Sequence, residues 1–179
     1  MNALAAIARP IRIDGDRAYV PLTQGYEAVI NVEDVRKVEG RNWNAYIERR
    51  KDGSIKAVYG RSNVPRDGGG QRTILLHRVI VDAEGGTLVD HADTNGLNNL
   101  RSNLRVVTEL QNARNARTRL DNTSGYKGVT WHNQRRKWKA QIWHGGKQRS
   151  LGLFISPEDA AAAYARASAE YHGEFGRTA

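Results

Sequence analysis

Asp90 and His91 stand side by side at the end of the apolar run Thr87-Leu88-Val89. Asn103 follows twelve residues after the histidine, and Asn112 nine further on. A neutral imidazole, with an unperturbed pKa of about 6.5, can take a proton from water at pH 7. A carboxylate and an amide oxygen are the donors that a hard divalent cation prefers. A base, an orienting amide and two oxygen ligands are together the parts of a metal-dependent site for phosphodiester hydrolysis. Taken singly each has a bland reading, since an Asp-His pair is often a solvated turn and asparagine is an ordinary turn residue. The chemical reading rests on their joint spacing.

These side chains must be carried by a particular order of elements. Leu88-Val89 reads as a short buried strand, and Asn95-Gly96 with Asn98-Asn99 as a loop, because glycine and asparagine tolerate positive φ. Leu104 to Val107 returns as a second strand. Thr108-Glu109-Leu110-Gln111 has the form of a capping box, so a helix starts there and carries Asn112 in its first turns. Strand, loop, strand and helix would bring Asp90, His91 and Asn112 together. Upstream, Thr73 to Val81 holds Leu76-His77-Arg78, with His77 fourteen residues before His91. His77 admits two readings: support for the site or for a phosphate, and a packed histidine on a half-buried element.

The string from Leu76-His77-Arg78 through Asp90-His91 and Ser102-Asn103-Leu104 to Gln111-Asn112 resembles the HNH endonucleases of phage type, in the variant whose last histidine is asparagine. That resemblance implies a ββα-metal nuclease core. It implies His91 as general base, Asn103 fixing the loop and orienting His91, and Asp90 with Asn112 holding one Mg²⁺ or Mn²⁺. His77 and Arg78 would be supporting residues. Some HNH proteins brace the fold with Cys-bound zinc, but this chain has no cysteine, so no structural zinc and no disulfide is expected.

The C-terminal third has a different pattern. Tyr126 to His132, Lys137 to His144 and Lys147 to Phe154 read as three strands, with Gly145-Gly146 as a hairpin connection. In the middle strand Trp138, Ala140 and Ile142 share one face, while Lys137, Lys139, Gln141 and Trp143 share the other. Ser156-Pro157-Glu158-Asp159 then opens a helix with an N-cap, a first-position proline and acids in the first turn. Ala160, Ala163, Tyr164, Ala167 and Tyr171 recur at helical spacing and can lie on the apolar face of the sheet.

Tyr-Lys-Gly-Val, Lys-Trp-Lys-Ala-Gln-Ile, Leu-Gly-Leu-Phe and Glu-Asp-Ala-Ala-Ala-Ala-Tyr together resemble the AP2 DNA-binding domain, whose sheet enters the major groove. Matched residue by residue, the resemblance puts Lys127, Thr130, Arg135, Lys139, Gln141, Trp143 and Ser150 on the DNA side, with Lys137 beside them and Arg149 near the backbone. Thr130, Gln141, Trp143 and Ser150 depart from the plant pattern, so no sequence preference carries over. The bland alternative for a basic exposed strand is edge protection.

Charge is concentrated in the same region. Residues 101 to 150 hold 12 Lys and Arg against 2 Asp and Glu, a net +10 out of a whole-chain +9, so the other residues net to −1. A basic block of this kind is the footprint of a polyanion partner, here double-stranded DNA. No stretch reaches the roughly 18 apolar residues of a spanning helix. The alanine-rich start, Met1 to Arg9, is too short for a secretory signal, so an intracellular, cytoplasmic protein is expected, in a bacterial or phage-infected cell. Arg114, Arg117 and Arg119 form a basic linker suited to a narrow minor groove, or else a solvated helix end.

Residues before about 70 carry less chemistry. Ile11 to Ile13, Ala18 to Leu22 and Ala28 to Ile30 read as strands, Val32 to Val38 as a brief helix, and Lys51-Asp52-Gly53-Ser54 as a hairpin turn. From Val20-Pro21-Leu22-Thr23-Gln24-Gly25 onward the chain resembles phage HNH proteins that carry a C-terminal AP2 domain. The expected class is α+β: a β-rich scaffold over 1–70, a nuclease module over 71–116, a linker over 117–123 and an AP2-like domain over 124–179. The expected activity is DNA cleavage directed by the AP2-like sheet, by a monomer that nicks or a dimer that makes a double-strand break. A DNA-binding regulator with a degenerate site and an RNA-directed protein are the alternatives.

Overall fold

The computed structural model describes residues 8–115, 122–176 and 178. It is an α+β protein of small antiparallel sheets and few helices, divided into two compact units, Met1–Val107 and Thr108–Ala179. Among the described residues no helix is long and apolar enough to cross a membrane.

The first unit opens with a three-stranded meander of β1 (Arg12–Asp14), β2 (Arg17–Pro21) and β3 (Glu27–Asn31). Ala18 and Val20 on β2 alternate with Ala28 and Ile30 on β3, and all four are buried, which is the period-two pattern of a sheet with one covered face. A single helical turn, α1 (Val35–Val38), leads to the second sheet. That sheet has β5 (Ile55–Pro65) between β4 (Asn44–Arg49) and β6 (Gln71–Leu75). The short helix α2 (Leu76–Ile80) follows at once and buries Leu76, His77 and Ile80. Then β7 (Leu88–His91) pairs with β8 (Leu104–Val107), in the register Asp90 opposite Arg105 and His91 opposite Leu104.

A single core unites these pieces: Ala18, Val20, Leu22, Ile30, Val38 and Trp43 pack with Leu76, Ile80 and Leu104. The β-rich beginning and the strands of the HNH-like motif therefore fold as one body. The loop between β7 and β8 is also hydrogen-bonded to β3. Val29 N–H donates to Leu97 C=O at 2.9 Å, and Asn99 N–H donates to Val29 C=O at 2.8 Å.

The second unit begins with α3 (Glu109–Asn115). Its capping box forms in both directions: Gln111 N–H donates to Thr108 Oγ1 at 3.2 Å, and Thr108 N–H to Gln111 Oε1 at 2.8 Å. The sheet β9 (Val129–His132), β10 (Lys137–His144) and β11 (Lys147–Phe154) has β10 at its centre. The helix α4 (Pro157–His172) lies on one face, buries Ala160, Ala163, Tyr164 and Ala167, and is capped by Ser156, whose Oγ accepts from Asp159 N–H at 3.1 Å. Gly128 permits the closest approach. Its φ is +71°, and a Cβ there would stand 2.2 Å from the Tyr164 ring.

Candidate active site and nucleic-acid interface

β7 ends at His91, and the chain then turns sharply. Thr94 N–H donates to His91 C=O at 2.8 Å, and Thr94 itself takes φ 63°, rare for a β-branched residue. The turn is held by Asp93, whose Oδ1 accepts from Asn95 N–H at 2.8 Å and from Asn103 Nδ2 at 2.9 Å, while its Oδ2 accepts from Asn98 Nδ2 at 2.8 Å. Burial pushes the Asp93 carboxyl up, but these bonds together with the nearby His91 outweigh it and hold the group below its ordinary value.

Asn103 is buried. Its Oδ1 accepts from Asp93 N–H at 3.0 Å, and its Nδ2 also donates to Asn98 C=O at 2.8 Å. It therefore ties the two ends of the loop together. The amide against the His91 ring is Asn99, with Oδ1 3.2 Å from Nε2. In the sequence Asn99 is marked only as a loop residue, within Asn95-Gly96-Leu97-Asn98-Asn99.

His91 is 5% exposed. Burial lowers its pKa, against the opposing pull of Asn99, Asp93 and Asp90, so the ring favours its neutral form. His77 meets it edge-on, ring centroids 5.0 Å apart at 77°, and Tyr59 of β5 lies 6.0 Å from both imidazoles. Burial, with the charges of His91 and Arg78 added, drives His77 down to about 3. Its Nδ1 is buried with no hydrogen-bond partner among the described residues. Arg78 points elsewhere and donates to the carbonyls of Thr87 and Ala83.

Asp90 lies opposite Arg105, whose guanidinium donates to Oδ2 at 2.7 Å, with both side chains largely shielded. Arg105 also escaped sequence reasoning, although its place across the hairpin follows from the register. The loop is anchored at its far end by Arg101, which donates through Nε and Nη2 to the buried Asp34 at 2.9 and 2.6 Å. Among the described residues no three His, Asp or Glu side chains converge as a metal cluster. Asn112 belongs to the second unit, on α3, where its side chain is exposed.

In the second unit the register sorts the basic sheet residues. Thr130 faces Lys139 across β9–β10, while Gln141 faces Ser150 and Trp143 faces Gln148 across β10–β11; these rows lie away from α4. Lys137 shares that face. Arg149 instead falls in the row of Ile142, which is buried beneath α4, so it sits at the exposed rim of the helix-bearing side. Trp143 is 54% exposed, unusual for so large an apolar ring, and Arg135 is exposed in the turn before β10. Lys127 precedes β9 and is half-buried. The side chain of Arg114 and the whole of Arg117 and Arg119 lie outside the described residues.

Over 92 residues the chain is 37% identical to Protein 3.8 of Escherichia phage T7, a stretch that makes up 51% of this chain and 75% of that protein. The chain belongs to the protein 3.8 family. This protein 3.8 relative also matches, in part, proteins whose names carry chemistry. It is 36% identical over 87 residues to an uncharacterized HNH endonuclease of Acanthamoeba polyphaga mimivirus, and 38% identical over 69 residues to the APETALA2-like protein 2 of Oryza sativa subsp. indica. It spans 44% of the mimivirus protein and 15% of the rice protein. No family model matches the sequence, and no solved structure matches it.

Proposed function

We propose that this protein is an HNH-type DNA endonuclease whose second unit grips double-stranded DNA through the outward face of β9–β11. The observation that carries the proposal is His91: buried, inclined to the neutral form, held at one ring nitrogen by Asn99 and flanked in sequence by Asp90. A neutral imidazole in that setting can accept the proton of a water as its oxygen bonds to phosphorus and the ester bond to the departing sugar oxygen breaks. Asp93, Asn98 and Asn103 keep the loop around it rigid before substrate arrives.

Asp90 is the residue of the first unit that would hold one Mg²⁺ or Mn²⁺, and Asn112 is a ligand on the resemblance to the HNH motif alone; carboxylate and amide oxygens are hard donors, and the shielded Asp90 carboxylate already faces a cation, Arg105. When bound, the ion supplies electrostatic stabilisation of charge on the phosphate and the leaving oxygen. Lys137, Lys139 and Trp143 on one sheet face supply charge and a flat apolar surface, the combination suited to a nucleic acid. A phage relative fits action inside an infected bacterial cell.

The ion pair between Arg105 and Asp90 favours a second reading, in which the carboxylate is permanently occupied and the protein is a DNA-binding regulator. Supercoiled plasmid incubated with Mg²⁺, with EDTA and His91→Ala controls, decides between them. Nicked or linear product that disappears in both controls supports the endonuclease. Tight binding without cleavage, or cleavage indifferent to His91→Ala, rejects it.

A further inference from the structure

We propose that Asn99, not Asn103, is the positioning residue for His91, and that it holds the imidazole as the Nε2–H tautomer with Nδ1 as the lone-pair nitrogen. The catalytic half of this proposal rests on the endonuclease reading; the tautomer does not.

Asn99 has no exposed surface. Its backbone is fixed by the N–H bond to Val29 C=O on β3, so its Cα cannot drift with the loop. The side chain has two ends with two different neighbours: Nδ2 lies 3.4 Å from Gly96 C=O, and Oδ1 lies 3.2 Å from His91 Nε2. A carbonyl oxygen can only accept, and an amide nitrogen can only donate. Flipping the amide would set Oδ1 against the Gly96 oxygen, two acceptors facing each other in a buried site, so the orientation is decided by Gly96 rather than by His91. An acceptor then faces Nε2. That nitrogen must carry the hydrogen, which leaves Nδ1 of the neutral ring to take a proton.

Gly96 is itself held in place. A Cβ there would lie 2.4 Å from both the Tyr59 ring and Val58 C=O, so the loop backbone is seated directly on β5. The same Tyr59, with His77, packs against the His91 ring and limits its tilt. Packing thus sets the plane of the imidazole, and Asn99 sets which nitrogen faces which way. Asn103 spends its amide on Asp93 and Asn98, which assigns it the loop and not the ring.

The test is long-range proton–nitrogen correlation of the imidazole rings in the metal-free, ¹⁵N-labelled full chain at pH 7.5, with the His91 signals identified by their loss in His91→Ala. A protonated Nε2 and an unprotonated Nδ1 in the unsubstituted protein are expected; the opposite tautomer, or an average of the two, would overturn the proposal without any variant being needed. Asn99→Ala should give the average and lower the kcat of plasmid nicking about 10²-fold with KM little changed, while Asn103→Ala should keep the tautomer. Loss of the tautomer in Asn103→Ala with its retention in Asn99→Ala would also overturn it. Absence of metal-dependent nicking by the unsubstituted protein would defeat the endonuclease reading alone, and the ring spectrum would still decide the role of Asn99.

Discussion

Replacing Gly96 by alanine tests whether the loop after β7 depends on its seat against β5. The added Cβ would stand 2.4 Å from Tyr59 Cδ1 and 2.4 Å from Val58 O, where ordinary contact begins at 3.4 Å. Something must therefore move by roughly 1 Å. The Tyr59 ring is hemmed in by Tyr46, His77 and His91, and Val58 is paired with Ile47 inside the sheet, so the loop is the part that yields. Overpacking of this size costs about 1–3 kcal/mol, and each kcal/mol lowers the melting midpoint of a unit of this size by roughly 4–8 °C. The loop carries Asn99 three residues later, and a displacement of about 1 Å near a catalytic group can cost about 10²-fold in rate. Thermal unfolding should show the first loss and plasmid nicking the second. Adding Tyr59→Ala should restore only part, because the Val58 carbonyl remains. Gly96→Ala with an unchanged midpoint and nicking rate would refute the seating of the loop.

Three further outcomes are expected. Burial lowers the pKa of both His77 and His91, so their contribution to stability is full above about pH 6.5 and is lost as pH falls, for His77 down to about 3 and by at most about 1.4 kcal/mol per pH unit; urea midpoints at pH 7 and pH 5 should differ accordingly, and His77→Phe should flatten the difference. Lys139→Ala should weaken DNA binding and reduce the slope of log affinity against log salt by about 0.9 for the phosphate contact removed, read by fluorescence anisotropy at several salt concentrations, and an unchanged slope would take Lys139 off the backbone. In Gly128→Ala the positive φ costs about 1–2 kcal/mol and the clash with Tyr164 about 1–3 more, so DNA binding should fail while the melting of the first unit, followed by exchange of the buried Val20 and Ile30 amides, stays as it was.

Local chemistry was largely legible in the sequence. The capping box at Thr108 and the N-cap at Ser156 are realised with the expected bonds, and the alternation along Lys137–His144 sorts buried Ala140 and Ile142 from exposed Lys137 and Trp143. Identities of partners across the fold were not. Asn99 and Asn103 are both loop asparagines followed by leucine, and nothing local says that one reaches a histidine ring and the other an aspartate. Tyr59 sits 32 residues before His91 in a hairpin that carried no chemical signal, and only tertiary packing brings its ring to both histidines. The pairing of Asp90 with Arg105 was within reach, since two short strands joined by one loop place their facing residues together once the register is set. The division at residues 107 and 108 follows from packing, and the basic block that begins at residue 101 straddles it.

The two bonds between β3 and the loop, Val29 N–H to Leu97 C=O and Asn99 N–H to Val29 C=O, are made entirely by main chain. Every residue but proline carries those groups. These two attachments therefore place almost no demand on which amino acid stands at position 29 or 97, whereas the anchor at the far end of the loop, Arg101 on Asp34, depends on both side chains. A fragment cut to begin near His77 would keep the spaced residues from His77 to Asn112 and lose the strand that the loop is fastened to.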